Sequence, residues 1–212
     1  MPASDTLDDH VHADAQPRAQ RADARRNRDA LLAVAVPALA RSDGEVTLEA
    51  IAREAGVGIG TLYRHFPTRE ALVEAASRHE VDQLCGAVGR LLATLPPEAA
   101  LREWMQWFVD YVATKRGMAA ALQPVLDSDE PQFAHTYDQI VSALRVLMGA
   151  AVDSGAIHPD SDPEDVLRAL RGVWLVADEH HRSDQARRLL NLLMDGLRFG
   201  APGTRGSGPS TG

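Results

Sequence analysis

The chain holds one cysteine, Cys85, so it cannot close an internal disulfide, and nothing in it asks for an oxidising compartment. It has no apolar run near the roughly 18 residues a bilayer-spanning helix needs, so no membrane is expected as a partner. Its first residues, MPASDTLDDHVHADAQP, have no basic start and no apolar stretch. They do not read as a secretory signal, and the expected location is the cytoplasm. An excess of positive charge is also missing: the formal net charge is −8. That argues against indiscriminate polyanion binding. Among the 212 residues, 45% are hydrophobic and 25% charged, which excludes a fully disordered chain, a collagen-like repeat and a small disulfide scaffold. The length allows one or two domains.

The charge is unevenly placed. Residues 1–17 contain four Asp and no Lys or Arg, whereas Arg18, Arg21, Arg25, Arg26 and Arg28 crowd together directly after them. If the chain touches nucleic acid, this end does it. The run is either a solvated arm or a contact to the DNA backbone or minor groove. Residues 1–17 lack the hydrophobicity to offset ordering entropy, and APGTRGSGPSTG from residue 201 is Gly, Pro and Ser without apolar periodicity. Both are expected to be disordered tails, around a domain over 18–67 and a larger one over 68–200.

Between the tails the apolar spacing is helical, with no sustained period-two segment and no internal repeat. The spacing predicts nine helices: about 21–41, a short one after Thr47, 58–64, one from Thr68 to about Leu95, then 98–114, 117–126, 131–154, 163–180 and 183–199. Thr47 and Thr68 are N-cap candidates, and Gly56 supplies a left-handed turn. Pro37 should kink the first helix. The fold expected is all-α.

Residues 46–66 read VTLEAIAREAGVGIGTLYRHF. Two short helices joined at Gly56, with Leu48, Ile51, Ala52, Val57 and Leu62 placed to pack them, make a helix-turn-helix by spacing. Two crossed helices braced by a third hold one helix proud of the surface for the major groove.

With the next helix included, TLEAIAREAGVGIGTLYRHFPTREAL resembles the TetR family of one-component transcriptional regulators. Thr47, Ile51, Ala52, Ala55, Gly56, Val57, Gly60, Thr61, Leu62, Tyr63, His65, Phe66, Arg69, Glu70 and Leu72 carry the likeness. It covers about residues 25–75; downstream, helix number, length and the paired terminal helices fit. The resemblance implies an N-terminal helix-turn-helix domain and a larger helical domain that binds an effector and dimerises. It also implies phosphate contacts from Thr47, Thr68 and Arg69, and phosphate or groove contacts from Tyr63 and His65. The chain departs from the family pattern at Gly58 and Ile59. Gly58 and Gly60 let backbone approach DNA, while Ile59 cannot hydrogen-bond a base edge and suits a thymine methyl. Specificity is therefore expected from Ile59, Thr61, Tyr63 and Arg64, helped by DNA shape.

Trp104, Trp107, Phe108 and Tyr111 lie on one predicted helix. With Met118, Leu122, Phe133, Tyr137 and Trp174 they are the candidate lining of an apolar effector cavity, or else ordinary core. Leu170, Trp174, Leu189, Leu190, Leu193 and Leu197 form stripes on the last two helices, expected to pair two copies as a four-helix bundle. Asp178, Glu179, His180 and His181 are adjacent and have no i, i+4 histidine pair, so no metal is expected. No catalytic constellation and no cofactor motif appears; Gly56-x-Gly58-x-Gly60 lacks the preceding strand of a phosphate cradle. The expected function is a homodimeric, ligand-responsive repressor on a palindromic duplex operator. The alternative is a helical small-molecule-binding or enzyme-like protein that binds no operator.

Overall fold

The helical spacing becomes eight α-helices, with no strand, in a computed structural model that describes residues 15–41, 46–118, 130–176 and 182–199. They are α1 (Ala15–Arg41), α2 (Leu48–Glu54), α3 (Ile59–His65), α4 (Arg69–Thr94), α5 (Pro97–Gly117), α6 (Glu130–Asp153), α7 (Pro163–Val176) and α8 (Arg182–Arg198). The ninth predicted helix, at 117–126, falls almost wholly outside the described residues; Gly117 itself ends α5.

One expectation about α1 needs correction. It starts at Ala15, six residues before Arg21, because Ala, Gln and Arg favour helix without any apolar stripe and Pro17 is tolerated in a first turn. It also runs unbroken through Pro37 to Arg41. Pro37 deprives the Ala33 carbonyl of its partner, but Ala33 is exposed, so water can replace the lost bond.

Capping chemistry sets the next boundaries as expected. Thr47 Oγ1 accepts from the Ala50 N–H at 3.2 Å, and Thr68 Oγ1 accepts from the Ala71 N–H at 3.1 Å. Gly56, at φ 67°, closes α2. The Val57 N–H reaches back to the Ala52 carbonyl and the Gly56 N–H to the Arg53 carbonyl, which completes a Schellman stop.

Two cores result. The smaller one joins Leu31, Leu32, Ala35 and Leu39 of α1 to Ile51, Ala52, Leu62 and Phe66. The larger is built from α4 to α8 around Trp104, Met105, Leu144, Leu147 and Leu170. Helix α4 belongs to both: Leu72, Val73 and Ala76 enter the first core, while Val81, Leu84, Ala87 and Leu91 enter the second. Met118, just past α5, is buried in the smaller core. Polar ties close the far end, where the His158 N–H donates to the Leu197 carbonyl at 2.8 Å and Arg102 donates to Asn191 Oδ1 at 2.8 Å.

Candidate nucleic-acid interface

Helix α3 is seven residues long and buries one side chain within its span, Leu62. Phe66 follows as C-cap and is also buried. The two anchors lie four residues apart, on one face, so the remaining face is free of the body. Ile59 is 39% exposed and Tyr63 45% exposed; Arg64, Gly58 and Gly60 are exposed as well, while Thr61 and His65 are half-buried. Gly58 is the N-cap and not an interior residue, so it carries no interior helix penalty. Gly60 is interior, and a methyl built on it meets no heavy atom within 4 Å. Nothing in the chain itself demands glycine there.

The flanking residues divide. Thr47 and Thr68 are exposed, and each side-chain oxygen serves its own helix start. Arg69 also has a partner inside the domain. Its half-buried guanidinium donates through Nη1 to the Val46 carbonyl at 2.5 Å, which ties the start of α4 to the entry of α2. One arm of the guanidinium is thus committed inside the domain. Arg28, the last of the arginine run, sets its guanidinium 5.3 Å from the centroid of the Phe66 ring, against the end of α3, a contact the sequence does not reveal.

A braced helix with an exposed reading face is the geometry of a major-groove reader. The family model for bacterial regulatory proteins of the tetR family matches residues 31–76, and the model for the C-terminal domain of SbtR-like transcriptional regulators matches residues 96–199. The chain is 31% identical over 159 residues to the HTH-type transcriptional repressor KstR2 of Mycolicibacterium smegmatis, covering 71% of this chain and 77% of the relative. The chain belongs to the TetR family.

Solved structures agree. The TetR regulator SCO0520 from Streptomyces coelicolor superposes with a TM-score of 0.77 at 49% identity, covering 81% of this chain and 98% of the other. A TetR regulatory protein from Mycobacterium vanbaalenii does so with a TM-score of 0.70 at 32% identity, covering 84% and 99%. The chain is therefore a TetR-family DNA-binding transcriptional regulator, and the curated relative it matches is a repressor, not an enzyme. No helix of the described residues is long and apolar enough to cross a membrane, and among those residues no His, Cys, Asp and Glu cluster into a metal site. Residues 178–181 lie outside the described residues.

In the regulator's larger half, the described members of the aromatic group take different places. Trp104 and Phe108 are buried and stacked at 5.9 Å, and Trp104 Nε1 donates to the Leu84 carbonyl at 2.9 Å. They are core. Met118 is core too, in the smaller unit, and Tyr137 packs half-buried against the larger core. Leu122 and the side chains of Phe133 and Trp174 lie outside the described residues. Trp107 and Tyr111 face a cleft of about 370 Å³ between α4 and α5. Its other walls are Glu80, Gln83, Leu84, Arg90, Asp110 and Thr114, which apolar spacing does not reveal. Burial pushes the Glu80 carboxyl above its ordinary value, against the opposing His79 charge. Burial also raises Asp110, lowers Lys115 and raises the Tyr111 hydroxyl. Cys85 is pushed up to about 11, first by burial and then by Asp82, so it is an unreactive thiol at neutral pH.

The predicted pairing stripe also divides. Leu170, Leu190 and Leu197 are buried in the chain's own core, so they are not an exposed seam. Leu189 and Leu193 are half-buried, and Leu192, absent from the expected set, is 68% exposed. With Ala169, Gly172, Val173, Gly196 and the inner-lying Leu197 they line an apolar groove of about 460 Å³ between α7 and α8.

Proposed function

We propose that this regulator is a ligand-responsive repressor that binds a palindromic operator as a homodimer and releases it when a small molecule occupies the larger half. The supporting observation is the exposed face of α3, which presents Ile59, Gly60, Tyr63 and Arg64 while Leu62 anchors it. Ile59 would meet a thymine methyl, Arg64 a base edge or phosphate, and Tyr63 with His65 the adjoining backbone. Thr47 and Thr68 would give phosphate contacts through hydroxyl protons, since their oxygens already serve as caps.

Pairing through the α7–α8 groove suits the reading, because a lone chain leaves Leu192 and its apolar neighbours wet. Two copies related by a twofold axis place two α3 helices one DNA turn apart, about 34–36 Å. The α4–α5 cleft is the site proposed for the effector, with Trp107 and Tyr111 as its apolar walls. Coupling has a physical route: α4 packs in both cores and Met118 carries the end of α5 into the reading head. A shift at the cleft therefore moves the spacing of the heads. Couplings of this kind change affinity by about 5–150-fold.

The test is recovery of duplexes from a random pool by the full chain, followed by affinity measurement. The expected product is an inverted repeat bound by a dimer, with Tyr63→Ala weakening it at least about tenfold. Recovery of an unrepeated site by a monomer, or undiminished affinity in the Tyr63→Ala variant, contradicts the reading.

A further inference from the structure

Helix α1 carries apolar side chains on one face over its second half and arginine on the same face over its first. At about 100° per residue, Leu32, Ala35 and Leu39 share a narrow arc. All three are buried in the smaller core. Continued toward the amino end, that arc overlaps positions 28, 25, 21 and 18, which fall within about 80° of one another. All four are arginine.

The changeover occurs at Arg28, beside Phe66 at the end of the DNA-reading helix. Beyond it α1 overhangs the core over residues 22–30, none of which is buried, and its backbone runs as helix from Ala15. Of the two acids in residues 22–30, Asp29 borders the stripe at its body-side end, four residues after Arg25, and none stands on it between positions 18 and 28. Asp23 lies on the far side of α1, where it pairs with Arg26. The arginine face of the overhang is therefore the one that, further along, packs on the helix-turn-helix.

We propose that this overhang is a second DNA-binding element, a helical strut that lies on the phosphates flanking the groove read by α3. The proposal rests on DNA binding by α3 and adds a contact the helix-turn-helix does not contain. Phosphate is the fitting partner because a row of guanidinium groups with no intervening carboxylate matches a row of anionic oxygens. A helix about 10 Å across does not enter a minor groove about 6 Å wide, so the contact is to the backbone. From position 18 to position 28 the strut spans about 15 Å, the axial length of roughly four base pairs.

The experiment uses the full chain and the duplex it retains from a random pool. The variant carries Arg18→Ala, Arg21→Ala and Arg25→Ala together, and Arg26→Ala is the far-side control. Alanine favours helix, and circular dichroism verifies that α1 persists. The triple variant is expected to bind the same sequence about 10–100-fold more weakly. Its slope of log affinity against log salt should be shallower by about two to three. Its footprint should shorten at both outer edges, while Arg26→Ala changes affinity less than about twofold. An unchanged slope and footprint in the triple variant, or an equal loss from Arg26→Ala, overturns the strut. A changed sequence preference overturns the backbone assignment in favour of base reading. A wild-type chain that retains no duplex overturns the DNA-binding reading itself, whatever the strut does.

Discussion

The Arg69 guanidinium and the Val46 carbonyl, 23 residues apart in sequence, are joined by a 2.5 Å hydrogen bond that holds the two ends of the helix-turn-helix segment together. Arg69 opens α4 and Val46 leads into α2, so the bond fixes the frame in which α3 sits. Arg69→Ala should lower the melting temperature and weaken operator binding, with the slope of log affinity against log salt unchanged. Removing a direct phosphate contact would instead reduce that slope by about one. A salt series on the variant separates positioning from contact.

Gly56 and Gly60 should respond in opposite directions to the same substitution. Gly56 has a φ of 67°, and a side chain there costs about 1–2 kcal/mol although no neighbour is within 4 Å. Gly56→Ala should therefore lower stability in a denaturant melt. Gly60 is an open helical site, so Gly60→Ala should stabilise by up to about 1 kcal/mol. Its methyl group nevertheless occupies the reading face, and operator affinity should fall. Unaltered affinity in Gly60→Ala would remove that residue from the interface.

Leu192 and Leu190 are near neighbours on α8 with opposite surroundings. Leu192 is 68% exposed and Leu190 is 2% exposed. Leu192→Glu should yield a folded monomer in sedimentation equilibrium, with little change in monomer stability. Leu190→Ala removes buried volume and should cost about 2–5 kcal/mol in unfolding free energy. A dimer that survives Leu192→Glu would place the pairing surface elsewhere.

Acid should help the α4–α5 cleft. Burial raises the Glu80 carboxyl above its ordinary value of 4.5, so the folded chain binds that proton more tightly than the unfolded one. Asp110 shifts the same way, with burial the main cause and Glu103 adding to it. The stability these groups permit is present while they are protonated. It declines as pH rises from the unfolded value through the raised folded value. Glu80→Gln should flatten that decline and stabilise the chain at neutral pH. Denaturant melts across this acidic range measure it, and an unaltered slope would mean that Glu80 titrates as it does in the unfolded chain.

Much of the reading head was legible because its boundaries are local. Thr47, Thr68 and Gly56 each act through neighbours two to four residues away, and such distances are written in the sequence. The start of α1 was not, because Ala, Gln and Arg support a helix without apolar periodicity. The pairing stripe was half legible: spacing identifies Leu189, Leu190, Leu193 and Leu197 as apolar, but α8 is apolar over a broad arc. Only the packing decides which part faces inward. Met118 and the cleft were least legible. Met118 reaches a core whose other members come mostly from residues 31–76, and Glu80 and Asp110 line one cleft from two different helices, arrangements no local pattern records.

Helix α4 passes from one core into the other without a break. No flexible joint intervenes at which the reading head could be cut away and keep its own packing: severing the chain after α3 would strip Leu72, Val73, Ala76 and Met118 from around Leu62. The head is thus not a transplantable cassette. Thermal unfolding should take both halves together in a single cooperative step, and whatever loosens one will be felt in the other.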